Sequence, residues 1–501
     1  MKIFNFSGRS SGVLLHITSL PGEFGSGDMG SDAHRFTELL EKAGQSWWQM
    51  LPVGPPGSAP AFSPYDSSSG FAGSPYFVSL TLLVQEGLLE PDEFKYLKGY
   101  SKSRVNLNEV HKYREERLRR AFINFMGHGG KKERDFKRFC NLNASWLEDF
   151  VLFMALKYDS GGKPWTEWQD DLRMRKPEAL ESARAQLSDE IAYHRFIQFK
   201  FDQQWRSLRE KSHRHGIGLI GDLPIFAAHD SADVWSHQEL FQLDGAGRPI
   251  WVTGYPPDRF NSRGQRWGHP QYDWKVHQQN DFDWWVQRFS RLYDLFDAVR
   301  IDHFLGFTRT WSIPAKSHDA RHGRWVKSPG AKLFSADGRN LGKRPMIAED
   351  LGHVTLADIR LRKRFGMLPM RIIQFGFGSE PDSADHLPHN YTFLTAAYTG
   401  NHDNNTIKGW FRKLPSAQKK LVLAYAGGQL ATIHIDSLRT LQGSAASLVI
   451  IPLQDILGMG SEARMNVPGT VEGNWNWRLV SEIDDFTIKN LHETTKLYGR
   501  T

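Results

Sequence analysis

Eight short apolar runs, each ending in polar, glycine or proline residues, recur along this 501-residue chain. Longer stretches with helical or irregular patterns separate them. Continuous apolar runs are typical of strands buried on both faces of a parallel sheet. Eight such strands with helical connections predict an α/β fold, a (β/α)8 TIM barrel whose active site lies at the carboxyl ends of the strands. The predicted strands cover residues 12–17, 47–53, 217–224, 297–302, 345–349, 370–375, 393–399 and 447–452.

The uneven spacing of these strands indicates insertions within one catalytic domain, residues 1–501. Residues 54–216 hold the second and third strands about 160 residues apart, far more than an ordinary crossover needs. This insertion subdomain begins with an aromatic loop and continues mostly as helix. A second insertion, residues 227–287, carries a lid-like loop, and a third, residues 315–343, is predicted to be a basic, glycine-rich loop. The fifty or so residues after the eighth strand leave no room for a large further domain.

Composition excludes several classes of protein. No stretch approaches the roughly 20 apolar residues of a membrane span, and the first residues lack the apolar core of a signal peptide. The single cysteine, Cys140, excludes an internal disulfide and a cysteine metal cluster, so a cytoplasmic location is expected. The net charge of +7 comes from 63 basic and 56 acidic residues that are interleaved. This pattern is typical of a solvated surface and argues against nucleic acid binding.

The fourth predicted strand contains DAVRIDHF, in which Arg300 and Asp302 project to the same side because side chains alternate along a strand. If that side faces the barrel mouth, the guanidinium would keep the carboxylate ionised and oriented, as a nucleophile requires. The alternative is a purely structural Arg–Asp pair at the end of a strand. This segment alone does not decide between the two interpretations.

Two further strands end in acidic residues. Glu349 stands at the end of the fifth strand, where a partly apolar pocket would raise its pKa and suit it to acid and then base catalysis. An acid at the start of a helix is the alternative, and Asp350 could equally supply it. The seventh strand ends in YTGNHDNNT, which places His402 and Asp403 at the barrel mouth. A metal site or an Asx turn would also explain that sequence.

Three carboxylates at the ends of strands four, five and seven of one barrel are more specific than any of them alone. A retaining glycosidase needs one carboxylate to attack the anomeric carbon and one carboxylic acid to protonate the leaving oxygen. A third carboxylate can hold sugar hydroxyls while charge builds on the ring, which stabilises the transition state selectively. The pattern therefore indicates an enzyme that cleaves glycosidic bonds.

The chain resembles glycoside hydrolase family 77, the 4-α-glucanotransferases or amylomaltases of the α-amylase clan, essentially from end to end. The resemblance implies transfer of an α-1,4-glucan segment to the 4-OH of a glucose or glucan acceptor, by a retaining double displacement. It also implies that no cofactor or metal is needed and that no C-terminal β-sandwich is present. The motifs that carry it are SGVLLHITSLPG, WWQMLPVGPPG, SPYDSSSGFAGSPY, GDLPIF, HDSADVW, PPDRFNSRGQRWGHPQYDW, VRIDHFLGF, IAEDLG, HDNNT and PLQDILGMGSEARMNVPGTVEGNWNWR.

The resemblance also assigns roles by position. It makes Asp302 the nucleophile, Glu349 the general acid/base and Asp403 the transition-state stabiliser. The expected partners are an α-1,4-glucan donor and a glucose or malto-oligosaccharide acceptor, with no nucleic acid or membrane. For Trp267, in the lid-like loop, a packed loop anchor is the alternative to a sugar contact. The residues expected to bind substrate are Tyr65, Asp222, Trp267, Arg300, His402, Gln454, Arg464 and Asn474.

Four positions depart from the family pattern: Asn401 replaces a common Thr, Asn405 an Asp, Arg259 a Tyr and Ser328 a Gly. They bear on acceptor preference and product size rather than on the reaction. The nearest alternative function is an α-amylase-like hydrolase with the same three carboxylates, since only the acceptor distinguishes hydrolysis from transfer. A debranching enzyme would need a second catalytic domain. A carbohydrate-binding protein on an inactive barrel is disfavoured because all three carboxylates are present.

Overall fold

The computed structural model describes residues 4–57, 62–93, 101–127, 131–258 and 261–501, and within them the chain forms twelve strands and eighteen α-helices. The strands are β1 (Ser10–Leu14), β2 (Trp47–Gln49), β3 (Gly218–Leu223), β4 (Trp251–Tyr255), β5 (Gln265–Pro270), β6 (Ala298–Ile301), β7 (Arg309–Pro314), β8 (Arg324–Lys327), β9 (Met346–Ala348), β10 (Leu368–Ile372), β11 (Ala396–Tyr398) and β12 (Leu448–Pro452).

The helices connect and surround these strands. They are α1 (Ser31–Lys42), α2 (Leu80–Gln85), α3 (Leu107–Met126), α4 (Lys131–Leu142), α5 (Ala144–Asp159), α6 (Asp170–Arg173), α7 (Pro177–Gln186), α8 (Ser188–Arg214), α9 (Ala232–Ser236), α10 (Trp274–Gln279), α11 (Asp283–Leu295), α12 (Gly330–Leu341), α13 (Leu356–Arg364), α14 (Ile407–Lys413), α15 (Ser416–Ala426), α16 (Ile433–Gly443), α17 (Leu453–Ile456) and α18 (Asp485–Leu497). No helix in the described ranges is both long and apolar enough to cross a membrane.

Eight strands close into a parallel barrel in the order β1, β2, β3, β6, β9, β10, β11, β12. Each corresponds to one of the eight predicted apolar runs, so the predicted TIM barrel is confirmed. Every residue of β1, β3, β6 and β12 is buried, as expected for strands covered on both faces. The predicted strands are longer than the observed ones. For instance, β2 ends at Gln49, and Pro52, within the predicted strand, has no N–H to donate to a neighbouring strand.

A second sheet, not expected from the sequence, lies outside the barrel in the order β5, β4, β7, β8, with all neighbours antiparallel. Val252 of β4 and Ile313 of β7 are paired and bury a small apolar cluster with Ala320. The sheet joins the second and third insertions. The third insertion, residues 315–343, is therefore not the predicted loop, since it contains β8 and helix α12. The lid-like region around Trp267 is likewise strand β5.

Most tryptophans serve the core. Trp47 and Trp48 of β2, Trp205 of α8 and Trp285 of α11 are among the largest fully buried side chains. Indole rings of this size bury about 150–250 Å² each and so contribute strongly to packing between the barrel and its helices. Sugar contacts can therefore involve only a minority of the 17 tryptophans.

Two arginines, one fully buried and one half-buried, close the N-terminal rim of the barrel. Arg500, fully buried, donates to the carbonyl oxygens of Gln442 (2.8 Å), Ser444 (3.0 Å) and Ser10 (3.3 Å). Arg9 donates to the carbonyls of Gln442 and Ser444 as well. Burial, together with the neighbouring Arg9, lowers the pKa of Arg500 to about 9. These hydrogen bonds tie the end of the described chain to β1 and to the segment before β12.

Arg500→Ala is expected to lower the free energy of unfolding by about 3 kcal/mol, because the Ser10 carbonyl loses its charged donor and two further buried carbonyls keep only Arg9. The matched control is Arg339→Ala on α12, whose guanidinium is 58% exposed and pairs with Asp281. Exposed pairs contribute about 0–1 kcal/mol, so this control should change little. Calorimetric unfolding of the three proteins makes the comparison. If the free energy of unfolding fell equally in the two variants, the buried Arg500 would not be what closes the barrel.

Candidate active site

Arg300, at the carboxyl end of β6, lies between three carboxyl groups. Its Nη1 is 2.8 and 2.6 Å from the two carboxylate oxygens of Asp222 and 3.1 Å from Oδ1 of Asp302. Its Nη2 is 3.4 Å from Oε2 of Glu349. Arg300 is buried, whereas the side chains of Asp302 and Glu349 remain 26% and 20% exposed. One buried cation therefore organises acids from three strands, and two of those acids face the cleft.

The barrel register produces this arrangement. Asp222 of β3 is paired with Arg300 of β6, and the ladder continues beyond the ends of the strands. The N–H of Asp302 donates to the carbonyl of Leu223, and the N–H of Glu349 donates to that of Ile301, both at 3.0 Å. The two acids are thus fixed by main-chain hydrogen bonds at one rim of the barrel, as expected from the C-terminal position of TIM-barrel active sites.

His303 contributes through its backbone and was not identified from the sequence. Its φ of 45° lies in the left-handed region, which costs of order 1 kcal/mol for a residue other than glycine. In this conformation its N–H donates to Oε2 of Glu349 at 2.5 Å. Its ring packs edge-on against Trp267, at 4.8 Å between centroids. No residue pattern signals a main-chain donor of this kind.

Asp403 follows β11 and lies in an Asx turn. The side-chain oxygen of Asn401 accepts hydrogen bonds from the N–H groups of Asp403 (2.9 Å) and Asn404 (3.2 Å). The amide of Asn466 donates to Oδ1 of Asp403 at 2.6 Å, and Nε2 of His402 is 3.4 Å from Oδ2. The turn interpretation is therefore confirmed, and the turn presents the carboxylate of Asp403 at the barrel mouth. A catalytic role for this carboxylate stays a prediction. Asn466 was not singled out from the sequence.

The metal interpretation of the same segment finds no support in the part of the chain that the structure describes. There, no group of three or more His, Cys, Asp or Glu side chains is arranged to hold a metal ion. The cation that lies among the clustered carboxyl groups is the guanidinium of Arg300. Asp350, the alternative to Glu349, points away from this cluster and forms ion pairs with Arg362 and Arg371 at 3.0 Å.

The three cleft carboxyls have different electrostatic environments. Burial raises the pKa of Glu349 to about 8, and the charge of Asp302 adds to this, against the opposing effects of Arg300 and the His303 N–H. Burial also raises the pKa of Asp302, opposed by Arg300 and His402. For Asp403 burial acts in the same direction, but His402 and Asn466 outweigh it and lower the pKa to about 2.

These environments favour one distribution of protons near pH 7. Glu349 is protonated, and Asp302 is ionised because it makes the closer contact with Arg300. Asp403 is ionised throughout the physiological range. A neutral carboxylic acid beside an ionised carboxylate is the pairing that acid-assisted nucleophilic displacement at a sugar carbon requires.

Tyr65 brings the aromatic loop to the same site. Its hydroxyl donates to Oδ2 of Asp222 at 2.7 Å and lies 3.3 Å from Nδ1 of His402. The rings of Tyr65 and His402 stack, with centroids 4.9 Å apart and planes at 24°. Trp475 approaches both rings to 5.8 Å. The structure therefore brings together Tyr65, Asp222 and His402, which were predicted from the sequence, and adds Trp475 from the NWNW stretch.

Trp267 is half-buried on β5. Its Nε1 donates to Oε1 of Gln265 at 3.1 Å, and its ring packs against His303 and Phe226. The packed-anchor interpretation thus describes its neighbours correctly. The Trp267 ring also lies beside the cleft, because it packs on His303, which directly follows Asp302. A contact between Trp267 and sugar stays a prediction.

Three residues of the closing motif hold the chain around Asp403. Arg464 donates to the backbone carbonyl of Asp403. Buried Gln454 donates to the backbone carbonyl of Ala463 at 3.3 Å. The side-chain oxygen of Asn474 accepts the N–H of Val467 at 2.9 Å. Their polar atoms are thus engaged within the protein, which indicates positioning of the loop. A direct contact of these residues with substrate stays a prediction.

The departures from the family pattern lie in different settings. Asn401 forms the Asx turn described above, and the amide of Asn405 donates to the hydroxyl of Ser461 at 2.9 Å. Ser328 donates its N–H to a backbone carbonyl, that of residue 308, at 2.9 Å. Arg259 lies outside the described residues.

Comparisons with known proteins agree on one family. The model of glycoside hydrolase family 77, described as 4-alpha-glucanotransferase, matches residues 15–483. The 4-alpha-glucanotransferase of Thermus thermophilus is 42% identical over 481 residues, which cover 94% of this chain and 95% of that protein. The chain belongs to the 4-α-glucanotransferase family. The chloroplastic/amyloplastic 4-alpha-glucanotransferase of Solanum tuberosum is 39% identical, with 98% of this chain and 86% of the plant protein covered.

A solved member of the 4-α-glucanotransferase family has the same fold. The amylomaltase from Streptococcus agalactiae in complex with acarbose superimposes with a TM-score of 0.94 at 38% identity, covering 98% of this chain and 99% of that one. The resemblance noted in the motifs is therefore confirmed over the whole barrel. Membership of a 4-α-glucanotransferase family makes the protein an enzyme rather than a binding protein on an inactive barrel.

Proposed function

We propose that the protein transfers segments of α-1,4-glucans by a retaining double displacement, with Asp302 as nucleophile, Glu349 as general acid/base and Asp403 as transition-state stabiliser. The observation that carries this assignment is the position of Arg300 between Asp302 and Glu349, 3.1 Å from the first and 3.4 Å from the second, and the raised pKa of Glu349 is consistent with it. Arg300 keeps Asp302 anionic, while burial keeps the proton on Glu349. Two carboxyl groups in one cleft thereby acquire two different tasks.

In the first step an oxygen of Asp302 forms a bond to the anomeric carbon while the glycosidic C–O bond breaks. Glu349 gives its proton to the departing oxygen, which leaves as the 4-OH of the released sugar. In the second step Glu349, now a carboxylate, removes the proton from the 4-OH of an acceptor glucan. The acceptor oxygen attacks the anomeric carbon and Asp302 is released. Two inversions at one carbon restore the α configuration.

Asp403 is proposed to hold hydroxyl groups of the reacting sugar, since it stays ionised and its carboxylate is 40% exposed to the cleft. The ring of Tyr65, stacked on His402, offers a flat surface beside that position. The substrates are an α-1,4-glucan donor and a glucose or malto-oligosaccharide acceptor. Residues from the protein itself suffice for each step, so no cofactor is invoked. A cytoplasmic location stays a prediction.

Product analysis on maltotriose tests this proposal. Transfer should yield glucose and a ladder of longer α-1,4 oligomers, while the number of reducing ends stays nearly constant. Chromatography of the oligomers and a reducing-end assay make the measurement, with Glu349→Ala as the inactive control against contaminating enzymes. Only glucose and maltose, with reducing ends rising throughout, would show that water is the acceptor and that the protein is an α-amylase-like hydrolase.

A further inference from the structure

The segment 399–407, here called the catalytic turn, joins β11 to α14 and carries His402 and Asp403. A buried carboxylate outside the described reaction contacts both of its ends. Oδ2 of Asp455 accepts a hydrogen bond from the hydroxyl of Thr399 at 2.6 Å, and Oδ1 accepts the N–H of Ile407 at 2.7 Å. Asp455 lies on α17, directly after β12, and is 3% exposed. It therefore reaches the turn from the neighbouring strand of the barrel.

A second buried side chain contacts the turn from the opposite side. The amide nitrogen of Gln374, just after β10, donates to the carbonyl of Thr399 at 3.0 Å and to that of Asn405 at 2.9 Å. β10 and β12 are the two neighbours of β11 in the barrel. The two ends of the catalytic turn are thus bridged twice, by an acceptor from one side and a donor from the other.

One side of the turn borders an open cleft. The cleft is lined by Asn401, Asn404 and other residues of the turn, and by His16 and Asp455. The Nδ1 atom of His16 has no hydrogen-bond partner there. A segment that borders a cleft has packing neighbours on fewer sides than one in the close-packed interior. The hydrogen bonds to its ends must then supply the restriction.

We propose that Asp455 and Gln374 are positioning residues that fix the catalytic turn, so that Asp403 and His402 meet the reacting sugar at the correct distance. This inference rests on the proposed role of Asp403 as transition-state stabiliser. Asp455 acts through the backbone of the turn and contacts neither substrate nor Asp403. A displacement of about 1 Å at such a group can cost about 100-fold in rate.

The contacts explain why a carboxylate serves here. In the structure both oxygens of the Asp455 side chain accept, one from the Ile407 N–H, which can only donate, and the other from the Thr399 hydroxyl. A carboxylate accepts at both oxygens, whereas an amide accepts at one. Burial raises the pKa of Asp455 to about 6, against these two hydrogen bonds, which lower it. Asp455→Asn keeps the shape of the side chain and removes one acceptor, which makes it a suitable probe.

Asp455→Asn is expected to lower kcat about 10- to 100-fold on maltotriose and equally on α-maltosyl fluoride, with KM changed less than about threefold. The equal loss follows because Asp403 acts on the sugar ring whatever group departs. The matched control is Asp337→Asn on α12, a carboxylate that is 2% exposed and lies near Arg344. It should keep the wild-type kcat. Thermal unfolding of both variants reports on folding.

A double-mutant cycle identifies the route of the effect. If Asp455 acts through Asp403, then Asp455→Asn should slow fluoride release little further in an Asp403→Asn enzyme. Independent, multiplying effects would overturn the proposal, as would a wild-type kcat in Asp455→Asn. If Asp455→Asn fails to fold, Thr399→Val and Thr399→Ser test the proposal instead. The valine variant, which lacks the hydroxyl, should have a lower kcat, and the serine variant, which keeps it, should retain the wild-type kcat. Failure of the function itself looks different, because wild-type enzyme would then form no ladder or Asp403→Asn would be fully active.

Discussion

Asp302→Ala is expected to abolish transfer from every donor, lowering kcat/KM by at least about 10⁴-fold, because no covalent intermediate can form without the attacking carboxylate. The loss should be the same for maltotriose and for α-maltosyl fluoride, whose fluoride leaves without a proton. Fluoride release and oligomer formation are the two measurements. Of all single substitutions in the cleft, this one should have the largest effect.

The structure indicates that this variant folds. After loss of Asp302, Arg300 keeps both contacts with Asp222, at 2.6 and 2.8 Å, and its contact with Glu349 at 3.4 Å. No buried cation is left unpaired, so the main penalty for breaking an ion pair is avoided. Thermal unfolding and calorimetric binding of maltotriose should remain close to wild type. Turnover above about 1% of wild type in a folded variant would remove Asp302 from the role of nucleophile.

The barrel was predictable because its signal is local. Each barrel strand lies in a mainly apolar run, and the polar residues at the end of the run fall at the rim where the carboxyl ends of parallel strands meet. Asp302, Glu349 and Asp403 could be selected by this argument alone. Their individual roles could not, since residue types left a structural Arg–Asp pair equally open for Arg300 and Asp302. The family motifs supplied the roles, and the contacts of Arg300 now support them.

The second sheet was missed because its strands have a weaker pattern. β5 (QRWGHP) has only one apolar side chain apart from its terminal proline, and β8 (RWVK) has four residues. Their partners lie far apart in sequence: β4 pairs with β7 across the whole of β5, α10, α11 and β6. Pairing at such separation depends on tertiary contacts that no local periodicity encodes. Glycine and charge content therefore predicted a loop where the chain forms an edge strand and a helix.

Supporting residues were missed for a related reason. Asn466 contacts Asp403 across 63 positions, and Asp455 contacts Thr399 across 56. His303 acts only through its N–H, which every residue except proline has. Such groups are ordinary polar residues in the sequence. They become identifiable only when the structure shows which donor or acceptor each of them pairs with.

The acid/base assignment gives the second large effect. Glu349→Gln is expected to lower kcat/KM for maltotriose about 10²- to 10⁴-fold, because an amide cannot protonate the departing oxygen. Formation of the covalent intermediate from α-maltosyl fluoride should survive, since that leaving group needs no acid. A burst of fluoride release followed by slow turnover is therefore expected, as the second step lacks its base. Rapid-quench measurement of fluoride separates the burst from the steady state. If Glu349→Gln lost the burst as completely as Asp302→Ala, Glu349 would be needed for more than protonation of the leaving oxygen.

The pH dependence tests the same group without relying on substitution alone. Burial raises the pKa of Glu349 to about 8, so the acid form needed for the first step is present below that pH and is lost as pH rises through it. For wild-type enzyme, kcat/KM on maltotriose should accordingly fall above about pH 8. The burst rate with α-maltosyl fluoride should lack this alkaline limb, because it needs no proton. On the acid side both donors should lose activity together as Asp302, with its raised pKa, becomes protonated. An alkaline limb common to both donors would mean that the titrating group is not the acid that serves the leaving oxygen, and Glu349 would lose that role.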